Sequence, residues 1–138
     1  PASAKSKGYV FKYKGVSVTM NGVAKKLIKK AGKPSKKTVK KSCAYKGKDR
    51  TYTYKDFQLK TYSKTNNGAE YVSEIRFRSN KAVTKEGIRI GSSLKDVTKK
   101  YGKAKARFGV YTFKKGSSKL QIMLNGNKVS AIRYFASK

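Results

Sequence analysis

Apolar side chains recur along this chain at two spacings, one marking helices and the other strands. Between Gly22 and Lys33 (GVAKKLIKKAGK), Ala24, Leu27, Ile28 and Ala31 share one helical face. Between Ser92 and Lys103 (SSLKDVTKKYGK), Leu94, Val97 and Tyr101 do the same. Both stretches end in Gly-Lys, and Gly32 and Gly102 can take the left-handed position that closes a helix. Ser93-Leu94-Lys95-Asp96 reads as a capping box, with Asn21 as the matching N-cap candidate of the first stretch. Elsewhere the spacing is two. Phe57-Gln58-Leu59-Lys60-Thr61 and Leu120-Gln121-Ile122-Met123-Leu124 place apolar residues at every second position, as strands with one buried face do. Tyr9, Phe11 and Tyr13 share a face of a further strand that Gly15 ends.

These elements recur in order, as an internal repeat. Val18-Thr19-Met20 precedes the first helical stretch and Ile88-Arg89-Ile90 the second. Tyr52-Thr53-Tyr54-Lys55 answers to Tyr111-Thr112-Phe113-Lys114, and Val72 to Phe77 (VSEIRF) answers to Val129 to Tyr134 (VSAIRY). Asn66-Asn67-Gly68 and Asn125-Gly126-Asn127 fall where a last hairpin must turn. The pattern predicts an α+β fold, a tandem duplication of a helix plus a three- to four-stranded antiparallel meander. Residues 1–8 are expected to form a flexible segment, 9–80 the first repeat and 81–138 the second, within one compact domain. The halves differ mainly in the connector after the helix, which runs from Pro34 to Thr51 in the first and only from Ala104 to Val110 in the second. Features shared by both halves are expected to serve the fold. Those present in one half are better candidates for function.

Composition narrows the classes of function. The 138 residues carry 36 Lys+Arg against 6 Asp+Glu, a net charge of +30, with no His and a single Cys. Without His, the Ser-His-Asp and Cys-His nucleophile systems are excluded, and one Cys excludes an intrachain disulfide or a Cys-cluster metal site. No cofactor is expected. Apolar stretches are only two or three residues long, so no segment is expected to span a membrane. Ten Tyr and six Phe supply core area that a low aliphatic content would otherwise leave short. The opening Pro-Ala-Ser-Ala-Lys lacks Met, which predicts a processed form whose targeting segment has been removed.

The predicted architecture resembles the β-lactamase inhibitor protein fold. Two motifs point closer still, Ser42-Cys43-Ala44-Tyr45-Lys46-Gly47-Lys48-Asp49 followed by Tyr52 and Tyr54, and Thr84-Lys85-Glu86-Gly87-Ile88-Arg89-Ile90-Gly91. They resemble S-C-x-[FY]-x-G-x-D-x-x-Y-x-Y and T-x-E-G-I-x-I-G of a family of small secreted or lipid-anchored proteins of Gram-positive, largely gut-dwelling bacteria. The resemblance covers nearly the whole chain from Tyr9 and implies an extracellular or cell-surface location without an assigned activity. The chain departs from lipid-anchored members in having no Cys at its start.

Among the cations, 30 are Lys and six are Arg (Arg50, Arg76, Arg78, Arg89, Arg107 and Arg133). Lysine is a hydrated point charge without a fixed fork, so this balance favours diffuse attraction to polyanions over base-specific readout. The densest cluster, Lys36, Lys37, Lys40 and Lys41, lies in the connector unique to the first half and is the candidate polyanion site. Tyr45 and Tyr62 have no counterpart in the second half and are the candidate protein-contact residues. Cys43 is expected to be a small buried hydrophobe rather than a reactive thiol. Glu70 and Glu74 are expected on one strand face, Asp49, Asp56 and Glu86 in turns, each as a local ion-pair partner rather than a catalyst. These observations predict a monomeric, non-enzymatic, extracytoplasmic binding module whose partners are anionic cell-wall polymers or an unidentified protein. The alternative is a sequence-nonspecific nucleic-acid-binding protein.

Overall fold

The computed structural model describes residues 8–136, so the segment expected to be flexible over 1–8 lies, Gly8 apart, outside the described residues. Near the start, Val10–Tyr13 (β1) and Val16–Thr19 (β2) form a hairpin whose turn residues Lys14 and Gly15 sit at φ of 48° and 86°. Two successive left-handed residues match the twist of the flanking strands, and glycine meets that geometry without strain. Next come a helix, Lys25–Ala31 (α1), and four strands, Lys36–Lys41 (β3), Lys48–Thr53 (β4), Phe57–Ser63 (β5) and Glu70–Phe77 (β6). A second helix, Leu94–Tyr101 (α2), is followed by Val110–Lys115 (β7), Ser118–Asn125 (β8) and Lys128–Ala136 (β9).

Strands β3 to β9 form one seven-stranded sheet, ordered β3-β4-β5-β6-β9-β8-β7, in which every neighbouring pair is antiparallel. This corrects the expected α+β tandem duplication of helix plus meander. The chain is mostly β, its helices are only seven and eight residues long, and the strands of both stretches share one continuous sheet. The reason lies in pairings that periodicity does not encode. Strands β6 and β9 join directly through Glu74↔Phe135, Ile75↔Tyr134 and Arg76↔Arg133, so one ladder runs across the sheet. The lysine-rich connector is itself a strand, β3, on the outer edge.

One sheet face carries the core. A row of facing residues crosses it, from Tyr52 through Leu59, Ile75, Tyr134 and Leu120 to Phe113, all buried. The first hairpin contributes Phe11, whose ring packs 5.3 Å from Phe57 and 5.5 Å from Phe77. Leu27 of α1 and Val97 of α2 are buried in the same cluster, and Tyr101 of α2 meets Phe113 at 5.4 Å. Aromatic pairs at these separations contribute beyond their buried area, which offsets the modest aliphatic content.

The chain before each helix closes a length of strand edge. The Asn21 amide donates to the Val72 carbonyl (2.7 Å), and the Val72 amide to Gly22 (2.9 Å). Likewise the Gly91 amide donates to Val129 (2.8 Å), and the Val129 amide to Ser92 (2.8 Å). Strands β6 and β9 pair over three residues only, so these segments satisfy backbone groups the ladder leaves over. Ser93 caps α2 as expected, its hydroxyl accepting from the Asp96 amide at 3.1 Å. Asn21 does not cap α1. It sits at φ 67°, its side chain accepts from the Tyr62 hydroxyl, and Ala24 occupies the cap without a side-chain bond. Among the described residues no helix is long and apolar enough to cross a membrane.

Two expectations follow from the buried tyrosines. The Tyr134 hydroxyl is buried without a protein partner among the described residues. Tyr134→Phe should therefore leave stability unchanged or raise it by up to about 1 kcal/mol in urea unfolding, because an unsatisfied buried hydroxyl is itself a cost. Burial also holds the phenols of Tyr52, Tyr101 and Tyr134 well above the ordinary value of 10.0, reinforced for Tyr52 by its bond to Glu70 and for Tyr101 by its bond to Glu86. The unfolded chain ionises these groups near 10, so the stability they confer is complete below that pH and drains away above it. In an alkaline titration, part of the phenolate absorbance should appear only together with loss of strand structure. Full ionisation of all tyrosines before unfolding would contradict this.

Candidate functional site

The face of the sheet opposite the core presents side chains that are half-buried or exposed, because strand residues alternate between the faces. The register sets its chemistry. One row across it reads Lys40, Asp49, Tyr62, Tyr71, and the next Thr38, Thr51, Lys60, Glu74, Phe135, Lys119, Lys114. A third reads Lys36, Thr53, Gln58, Arg76, Arg133, Gln121, Thr112. Seven cations face the same way against two carboxylates, Asp49 and Glu74.

Arg76 and Arg133 stand directly opposite each other at its centre. Glu74 bridges them, with one carboxylate oxygen 3.2 Å from Arg76 Nη2 and the other 3.4 Å from Arg133 Nη1. Arg133 Nε donates to Gln121 Oε1 at 2.7 Å, and its guanidinium lies 4.4 Å from the centre of the Phe135 ring. Beside the pair is a shallow depression of about 290 Å³ lined by both arginines, Gln121, Met123, Ala131 and Ile132.

The four candidate lysines do not form one cluster. All are exposed on the edge strand β3, but strand alternation divides them. Lys36 and Lys40 join the face just described. Lys37 and Lys41 point to the other side, where the Lys37 ammonium lies 5.1 Å from the centre of the Tyr52 ring. Tyr45 and Tyr62, in contrast, are brought together and stack with centroids 5.2 Å apart and planes 14° off parallel. Tyr71 extends the stack at 5.5 Å from Tyr62, and the Lys64 ammonium lies 5.9 Å from Tyr45 and 5.7 Å from Tyr71. The Tyr62 hydroxyl donates to Asn21 at 3.0 Å, and burial raises its pKa. A cleft of about 590 Å³ joins this stack to Lys40, Lys60, Glu74 and Phe135.

Three further placements differ from the sequence expectation. Cys43 is exposed, not buried. The Ser42 hydroxyl accepts from the Ala44 and Tyr45 amides (3.2 and 3.1 Å), so Ser42 takes the buried position of the β3–β4 loop and Cys43 faces the cleft. Glu70 and Glu74 lie on opposite faces, because the β5–β6 register shifts at Lys60/Thr61. Glu70 accepts from the Tyr52 and Thr61 hydroxyls, both at 2.7 Å, on the core side. Asp49 lies within β4 rather than in a turn. Among the described residues no group of His, Cys, Asp and Glu could hold a metal ion.

Arg76, Arg133 and Tyr71 are candidate functional residues that local spacing does not single out. The available signal is the matching Ile-Arg in VSEIRF and VSAIRY, which both halves share and which therefore points to the fold. Comparison with protein-family models, curated proteins and solved structures finds no match for the chain.

The position of Cys43 is directly measurable. A thiol reagent should label it in the native protein within a few-fold of its rate in the urea-unfolded chain, because free access governs thiol chemistry. Native labelling slower by orders of magnitude would place the side chain inside.

Proposed function

We propose that this chain is a non-enzymatic, extracytoplasmic binding module that holds anionic cell-envelope polymers on the lysine-rich open face of its sheet. One observation carries the proposal. The seven cations of that face run from one sheet edge to the other, with two carboxylates among them. A linear polyanion laid across it displaces condensed counterions, which supplies affinity without requiring a particular sequence or repeat. Lysine predominates, and its ammonium places charge without fixing hydrogen-bond geometry. The extracytoplasmic location rests on the resemblance of the Ser42–Tyr54 and Thr84–Gly91 motifs to secreted and lipid-anchored proteins.

The stacked Tyr45, Tyr62 and Tyr71 with Lys64 favour a second reading, sequence-nonspecific binding of nucleic acid. Aromatic platforms flanked by cations stack successive bases of any identity.

A salt series tests both. Binding should weaken between about 50 and about 200 mM salt by roughly 10³-fold or more for duplex DNA, and by roughly 300-fold or more for single-stranded DNA and a poly(glycerol phosphate) wall polymer, if six or more charges are engaged. Replacing Lys36 and Lys40 by Gln should reduce the salt slope for the wall polymer more than replacing Lys37 and Lys41, because only the first pair shares the open face. Absence of binding to every polyanion at about 50 mM salt would overturn the proposal. Preference for single strands that is lost in Tyr45→Ala and Tyr62→Ala would promote the second reading.

A further inference from the structure

We propose that Arg76 and Arg133 form a fork for a phosphate group at the centre of the open face. As the docking point of a polymer the fork rests on the polyanion reading above, although a small phosphate ligand tests it alone.

Four observations lead there. First, the arginines are directly opposite one another on the two central strands, an arrangement that ordinarily destabilises a sheet through like-charge repulsion. Glu74 offsets one charge, and a bound anion would relieve the other. Second, Arg133 is held on three sides before any ligand arrives, by Glu74, by Gln121 and by the Phe135 ring. A donor fixed in advance loses little conformational freedom on binding. Third, donors remain. Arg76 Nε and Nη1 and Arg133 Nη2 have no protein partner among the described residues, while the arginine side chains are 51% and 32% exposed. Fourth, Arg76, Arg133 and Lys60, less Glu74, leave a local surplus of two positive charges.

That surplus selects the ligand class. A phosphate monoester carries a charge near −2 and three strong acceptor oxygens, enough to meet both guanidinium forks at once. A carboxylate brings one charge and two oxygens, and Glu74 already supplies such a group to both arginines. The adjoining depression, with Met123 and Ala131 in its lining, offers apolar contact to the carbon skeleton that carries the phosphate. The proposed step is binding only, with no bond made or broken.

The experiment follows the arginine Nε–H resonances during titration with inorganic phosphate at constant ionic strength, with acetate as the control anion. Arg76 and Arg133 should shift saturably with phosphate and not with acetate. The double variant R76K/R133K keeps the net charge and removes both planar forks, so it should bind phosphate about tenfold or more weakly. Wild-type protein should favour a polymer of phosphate monoesters, poly(vinyl phosphate), over poly-glutamate, and the double variant should bind the two alike. R133K alone, which leaves Arg76 and Glu74 paired, should fall between and guards against a folding defect in the double variant. Equal, non-saturating shifts with phosphate and acetate would overturn the fork. If both polymers bind wild type and double variant alike, the fork falls and the polyanion proposal stands. If phosphate saturates the arginines but no polymer binds, the fork stands and the polyanion proposal falls.

Discussion

The short ladder between β6 and β9 is the interaction on which the rest depends. It spans Glu74↔Phe135, Ile75↔Tyr134 and Arg76↔Arg133 and turns seven strands into one sheet. Its middle pair points inward and lies in the central row of the core, where Ile75 and Tyr134 are fully buried. Its outer pairs point the other way and supply both arginines, the bridging carboxylate and the Phe135 ring. The same three residue pairs thus position the core and the charged centre of the open face. A slip of one residue would exchange them, placing arginines in the core and an isoleucine outside.

A net charge of +30 acts against any compact state, and its management is visible throughout the structure. Four of the six carboxylates are bonded to side chains within the fold. Glu70 holds Tyr52 and Thr61, Glu74 the two arginines, Glu86 Tyr101, and Asp56 the Ser79 hydroxyl. Negative charge is spent on internal structure, and the surface is left to lysine. The exposed β3 shows the other side of this arrangement. Its unpaired edge invites pairing with a second chain, and four lysines among its six residues oppose that pairing between identical molecules. The charge that keeps the edge from self-association also attracts polyanions.

Much of this molecule follows from residue order alone. The two helical stretches, their closing glycines, the Ser93 cap and the inward faces of Phe57, Leu59, Leu120 and Ile122 are local properties. Each depends on spacing within a few residues of chain, and hydrophobic periodicity reports that directly. The strand order, the mostly-β class and the strand character of Lys36 to Lys41 were decided by tertiary structure, because periodicity states which face a residue shows but not which strand lies beside it. Repetition of VSEIRF as VSAIRY announced similar strands without revealing that they would be neighbours, and only that adjacency sets Arg76 against Arg133. The stacking of Tyr45 on Tyr62 and the separation of Glu70 from Glu74 have the same origin, a loop and a register shift that bring together or divide residues regardless of their distance along the chain. Cys43 was decided by competition between neighbours, since a Ser42 hydroxyl that satisfies two amides holds the inner position and turns the thiol out.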